Sequence, residues 1–207
     1  LILNDDLPAD ALSQLERLNI LKSIHPNFQI PSNINAIFDL LAQKKYPEWG
    51  QDTELLRWHI LMATVDYDAI ESILQELLFA QTKIKSIQKS AEILQDAPEV
   101  MYEDAKASSI FKRLKPLSNE ALLTVWLLTD KSLVRERIET FYTSWRHIKP
   151  ISDGNTLKQM GLKPSPIFRE ILERLQAACL DDQVHNEAEE KALLAKLIAE
   201  ANDDSAN

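Results

Sequence analysis

Apolar residues recur at helical rather than alternating intervals along nearly the whole chain. Leu12, Leu15, Leu18 and Leu21 form the first stripe. Before them stand Pro8, suited to a first helical turn, and Asp5 and Asp6, which favour the positive end of a helix. This helix is expected to end near Ile24-His25-Pro26, because a proline restricts the residue before it. A second helix is expected from Ser32 to Lys45 with Ile34, Ile37, Phe38, Leu40 and Leu41 inside, and Pro47 and Gly50 break the chain after it. Asp52 is placed to cap a third, which carries Leu55, Leu56, Trp58, His59 and Met62. Asp66 starts a fourth, with Ile70, Ile73, Leu74, Leu77 and Leu78 on one face.

The segment 82–95 is more polar and basic, setting Lys83, Lys85 and Lys89 among Ile84, Ile87 and Ile93. Pro98 is expected to open another helix through about Phe111, and Pro116 to stop the next. Ser118-Asn119-Glu120 reads as a helix start, and Asp130 begins a helix reaching Trp145. Turn chemistry fills 149–155, followed by a short helix to Met160 and a break from Gly161 to Pro166. A helix from Ile167 to Leu180 and a last amphipathic one from about Glu187 to Ala201 complete the pattern. The expected fold is all-α, with about ten helices. It divides into an irregular helical body (1–147), a small helical tail (148–201) and a disordered end (202–207). No repeat of fixed period is sustained, so a regular solenoid is not favoured.

Composition sharpens this picture in three places. Only Gly50, Gly154 and Gly161 are glycines, too few for the tight turns of a strand-rich fold. The single cysteine, Cys179, cannot form an internal disulfide and sits in an apolar run, which fits packing in a reducing, cytoplasmic compartment. No apolar stretch approaches the roughly 18 residues that span a bilayer, and no basic lead of a signal peptide is present, so no membrane partner is expected. The absence of a leading methionine is what a fragment of a longer protein would show.

The net charge of −9 argues against nucleic acid until its distribution is considered. Residues 1–82 carry 5 basic and 12 acidic side chains, residues 83–174 carry 16 and 12, and residues 175–207 carry 2 and 8. The middle segment is therefore net positive between two acidic ones. An excess of four cations over 92 residues is modest, and a solvated helical surface accounts for it equally well.

Catalytic signatures fail in turn. Neither G-x-x-x-x-G-K-[ST] nor G-x-G-x-x-G occurs, so the common phosphate cradles are missing. His25, His59, His147 and His185 lie far apart, none with the spacing that sets two metal ligands on one helix face. Asp66-Tyr67-Asp68 has the form of a two-metal carboxylate pair. It precedes a helical run, however, where residues two apart diverge and carboxylates simply suit a helix start.

Two stretches resemble the bacterial family of CCA-adding enzymes, A-adding enzymes and poly(A) polymerases. The first is Leu12-Ser13-Gln14-Leu15-Glu16-Arg17-Leu18-Asn19-Ile20-Leu21, ending in Ile24-His25-Pro26. The second is Gly154-Asn155-Thr156-Leu157, then Gly161-Leu162-Lys163-Pro164-Ser165-Pro166 and Ile171-Leu172, similar to a tail pattern G-x-D-L…G-L-x-P-G-P…I-L. Thr156 replaces an acidic residue of that pattern, Ser165 a glycine, and Asp182 falls where a glycine often ends the penultimate helix. The resemblance implies a body and tail that hold tRNA or another structured RNA. A covalently attached N-terminal catalytic head, with magnesium and ATP or CTP, would perform nucleotide addition. The head's motifs do not occur here, so no catalytic residue, metal site or cofactor is expected in this chain. Whether the parent adds CCA, a single A or a poly(A) tail would be decided in that head.

Phosphate contacts in such a tail fall to Arg146, Lys149, Asn155, Lys158, Lys163, Ser165 and Arg169, with Lys112, Arg113 and Lys115 as a second cluster. Ser165 and Pro166 form a helix start whose first amides lack internal partners, either capped by Ser165 alone or also open to a phosphate. Tyr142 and Trp145 are candidates for base stacking, but their spacing with Ile138 and Phe141 suits core packing. The competing expectation is a helical scaffold that binds another protein through an apolar groove. Composition fits it as well, and the tail pattern alone speaks against it.

Overall fold

The computed structural model describes residues 8–30, 32–63, 65–162 and 165–204, and among these no strand occurs. The fold is all-α. In chain order the helices are α1 (Pro8–Arg17), α2 (Ile20–Ile24), α3 (Ile34–Ala42), α4 (Thr53–Met62), α5 (Tyr67–Glu76) and α6 (Gln81–Val100). They continue as α7 (Ala107–Leu114), α8 (Asn119–Leu128), α9 (Ser132–Thr143), α10 (Gly154–Gln159), α11 (Pro166–Leu180) and α12 (Glu187–Asp204), with a 3-10 turn at Trp145–His147. The residues form two compact units, Leu1–Tyr102 with Pro116–Ile138, and Glu103–Lys115 with Glu139–Asn207. The expected helix start at Asp5 and Asp6 and the end of the expected disordered segment (205–207) lie outside the described residues. α12 runs three residues beyond the expected Ala201.

In the first unit α4, α6 and α8 pack on one another and α5 packs on α6. Leu56, Ile60, Ile70, Ile73, Ile84, Ile87, Leu122 and Leu123 fill the contact, each at most 1% exposed. Removing one such side chain from water stabilises the fold by about 1.5–3 kcal/mol. Two helix starts are fixed as their sequences suggest. The Asp52 side chain accepts from Leu55 N at 3.1 Å, and the Ser118 hydroxyl accepts from Ala121 N at 3.2 Å. His59, on α4, lies fully buried in the same packing. Its Nδ1 is 2.9 Å from the Ser90 hydroxyl, which donates onward to the Ile87 carbonyl. Its Nε2 is 3.4 Å from the Ser86 hydroxyl, itself 3.0 Å from that of Ser118.

Three expectations are corrected in this unit. The first helix breaks into α1 and α2 at Asn19, whose φ of 55° is left-handed, a conformation that asparagine tolerates better than most residues. Pro98 opens nothing: it lies in the last turn of α6, where its missing N–H removes one helical bond without ending the helix. Leu78 leaves the apolar face of α5 altogether. It takes φ 61° just beyond the helix and is 91% exposed.

The second unit is built on α11, which packs against α12 on one side and α7 on another. Leu157, Ile171, Leu175, Leu194 and Leu197 make its buried core, with Leu162 and Phe168 packed at the margin. Asp181, at the end of α11, supplies a carboxylate to the start of α7. Its Oδ1 accepts from Ser108 N at 2.9 Å and its Oδ2 from the Ser108 hydroxyl at 2.7 Å. A negative charge there also meets the positive end of the α7 dipole. Glu190, only 3% exposed, fastens the loop before α10. Ile151 N donates to its Oε2 at 3.0 Å and Ser152 N to its Oε1 at 2.6 Å. Just beyond Asp181, Asp182 holds φ 52°, and Gln183 N donates back to the Ala178 carbonyl at 2.9 Å. This is a Schellman ending in which glycine carries no steric penalty. Asp182→Gly is therefore expected to raise stability by about 0.5–1 kcal/mol, read as a higher urea midpoint with unchanged slope.

Candidate nucleic-acid interface

The loop and turns around α10 are positioned by short-range polar bonds. Asp153 Oδ1 accepts from Asn155 N at 2.8 Å and from Thr156 N at 3.0 Å, while the Thr156 hydroxyl accepts from Asp153 N at 3.2 Å. This is a reciprocal capping box, and Thr156 fills in it the role that a longer acidic side chain can take. The amides of Thr156 and then Asn155 hold the Asp153 carboxyl below the usual range. At the other end of α10, Gly161 at φ 90° donates to the Lys158 carbonyl at 3.0 Å, and Leu162 N reaches the Leu157 carbonyl at 3.2 Å. Only glycine adopts that conformation without strain, which accounts for the Gly-Leu step of the tail pattern.

Beside this segment the second unit carries a groove of about 630 Å³. Lys115, Lys149, Ser165 and Arg169 line it, together with the Asp153 and Glu173 carboxylates and an apolar floor that includes Phe168 and Leu172. Lys149 is held in place because its neighbours are fastened. Gln176 Nε2 donates to the Ile148 carbonyl at 2.9 Å, and Glu190 binds the Ile151 and Ser152 amides. Lys115 ends α7, with its ammonium 5.4 Å from the Phe111 ring centroid. Arg169 and Glu173 sit one turn apart on α11, Nε to Oε1 at 2.8 Å, with 85% and 52% of their side chains exposed. The hydrogen bond from Arg169 is the main cause keeping the Glu173 carboxyl low, with Lys115 and Lys112 adding smaller attractions.

The structure thus brings four of the ten expected contact residues, Lys115, Lys149, Ser165 and Arg169, to one groove. Lys112 acts on it electrostatically through Glu173. Arg146 is exposed and stacks on Tyr142, 4.4 Å from the ring centroid, which occupies the face that a base would need. Asn155 turns its amide onto Asp153 at 3.3 Å. Arg113 is half-buried and engaged in contacts of its own, and Lys158 is exposed on α10. Lys163 lies outside the described residues. Ser165 occupies the N-cap position of α11, but its hydroxyl makes no capping bond. Pro166 at the next position has no N–H, and Phe168 N donates instead to the Ser165 carbonyl at 3.0 Å. Sequence reasoning missed Glu173 and Gln176. The four-residue spacing of Arg169 and Glu173 was a signal for the first, and nothing in the sequence marked the second.

The helical arrangement is that of the CCA-adding enzymes. The Thermotoga maritima CCA-adding enzyme complexed with tRNA matches with a TM-score of 0.69 at 15% identity, over 94% of this chain and 48% of that one. A CCA-adding enzyme in its apo form II matches with a TM-score of 0.70 at 16% identity, over 96% and 47%. The sequence matches the tRNA nucleotidyltransferase domain 2 family over residues 51–197, and the chain belongs to that family. It is also similar to the A-adding tRNA nucleotidyltransferase of Geobacter sulfurreducens, 28% identical over 216 residues covering 97% of this chain and 24% of that protein. The chain spans about a quarter of the length of that curated relative and about half of the solved ones. Among the described residues, no helix is long and apolar enough to cross a membrane.

Proposed function

We propose that this chain is the RNA-holding helical part of a tRNA nucleotidyltransferase, and that the groove of the second unit receives the tRNA backbone. Nucleotide addition then belongs to a catalytic head joined on the N-terminal side of the full-length protein, where magnesium and ATP or CTP act. Such work on tRNA suits the cytoplasm. The observation that carries the reading is the meeting of Lys115, Lys149 and Arg169 at one groove, beside Ser165, whose hydroxyl makes no capping bond, and the N-terminus of α11. Cations, a hydroxyl and helix-end amides are the groups that hold phosphates. They read position and shape rather than sequence, which suits an enzyme part that grips many tRNAs alike.

Affinity for tRNA should therefore fall steeply with salt, measured by titration at about 50 and about 200 mM. Each phosphate neutralised contributes about 0.7–0.9 to the logarithmic salt slope, so the combined Lys115→Ala, Lys149→Ala and Arg169→Ala variant is expected to lose about two to three units of slope. The three side chains are exposed, and the helical circular dichroism should be unchanged. A variant that binds tRNA with the same slope as the parent would remove the groove from the interface.

A further inference from the structure

We propose that Glu173 is a built-in competitor of the RNA phosphate: it occupies Arg169 in the free groove and opposes the bound anion, keeping the grip weak enough for release. The inference rests on the groove being the RNA interface and adds how that interface is tuned. Two carboxylates line the groove, and they differ in what they do. Asp153 is committed to the amides of Asn155 and Thr156 and serves the fold of α10. Glu173 is bonded at 2.8 Å to Arg169, itself one of the cations a phosphate would seek. Both partners are more than half exposed, so the bond has the character of a surface pair rather than a structural anchor.

Glu173 has two opposing effects on a phosphate entering the groove. It orients the guanidinium, and its charge repels the phosphate. An exposed pair four residues apart on a helix is worth roughly a factor of two. A full negative charge left about 6 Å from a phosphate is worth roughly a factor of three in water, and more where the groove walls exclude solvent. Repulsion therefore outweighs orientation. The two effects separate chemically, because glutamine retains an oxygen for Arg169 Nε and lacks the charge.

The test uses tRNA titration of the whole chain. Glu173→Gln is expected to bind about three to ten times more tightly, because a phosphate on Arg169 no longer faces the carboxylate charge. Glu170→Gln makes the same charge change at an exposed position on α11 outside the groove lining, and should shift affinity by less than about twofold. With Arg169→Ala already present, no cation draws a phosphate to the side of Glu173, so the gain from Glu173→Gln should shrink to roughly that of the control. Equal effects of Glu173→Gln and Glu170→Gln, or a gain untouched by Arg169→Ala, would overturn the competitor role. Unchanged binding by a Lys115→Ala/Lys149→Ala variant would remove the groove reading, and the competitor with it.

Discussion

At pH 4 the chain is expected to be about 3 kcal/mol less stable than at pH 7 through His59 alone, and His59→Gln should remove most of that difference. His59 is fully buried, and burial pushes its pKa from the ordinary 6.5 down to about 3. The Ser90 hydroxyl donates to the Ile87 carbonyl, so it accepts from His59 Nδ1–H, which leaves Nε2 to accept from Ser86. A neutral ring satisfies every bond; a protonated one puts a second donor against the Ser86 hydroxyl and a charge in an apolar interior. The sign follows from proton uptake. Between the two pKa values the unfolded chain binds a proton that the folded chain refuses. The stability is therefore whole above about 6.5 and drains away as the pH falls toward 3. Urea midpoints at pH 7 and pH 4 for parent and variant measure it, because other acid-sensitive groups cancel in the comparison. If both proteins lose the same stability on acidification, His59 is not the group responsible.

The apolar spacing disclosed most helices because it is a local property, and the oxygen-bearing side chains at Asp52 and Ser118 marked two of their starts. Helix ends were less legible, for one physical reason. The usual marker of a left-handed ending is glycine, and this chain has three. Asn19, Lys44, Leu78 and Asp182 take the positive φ instead. Lys45 N reaches the Leu40 carbonyl at 3.1 Å and Phe79 N the Leu74 carbonyl at 2.9 Å, the same bonds that a glycine ending would make. Closing backbone bonds hold these exposed residues in a conformation their side chains disfavour, and no local pattern announces it. Pro98 misled in the opposite direction. It is a strong local signal, but the buried residues Ile93, Ala97 and Met101 around it carry α6 through.

The candidate interface was legible residue by residue but not as a surface. Lys149 and Arg169 were drawn together by the tail pattern, since both flank its turns. Lys115 was assigned to a separate cluster more than thirty residues away. The packing of α7 on α11, fastened by Ser108 on Asp181, brings it to the same groove. Net charge along a segment cannot reveal such a meeting. Nor can it show that Arg169 arrives with Glu173 already bound, or that Asn155 and Arg146 are occupied by Asp153 and Tyr142.

Glu190→Ala is expected to cost the second unit about 3–5 kcal/mol and to weaken tRNA binding as well. Burial by itself would raise the Glu190 carboxyl, but bonds from the Ser152 hydroxyl and from the Ile151 and Ser152 amides outweigh it and hold the group low. Each such charge-assisted bond is worth about 1.5–3 kcal/mol, and truncation leaves two amides without an acceptor in a buried place. Glu190→Gln keeps one carbonyl oxygen but turns an NH2 toward the other amide, so about half the loss should remain. The carboxylate contributes above the unfolded pKa of about 4.3, and its contribution disappears as the pH falls through the lower folded value, in acid stronger than His59 needs to begin titrating. Thermal melts of the three proteins read the stability. Binding separates anchoring from general damage: Lys149→Ala should weaken tRNA affinity several-fold in the parent and add little in Glu190→Ala, because the released loop no longer presents that ammonium. Full additivity of the two substitutions would show that Glu190 secures the unit without positioning Lys149.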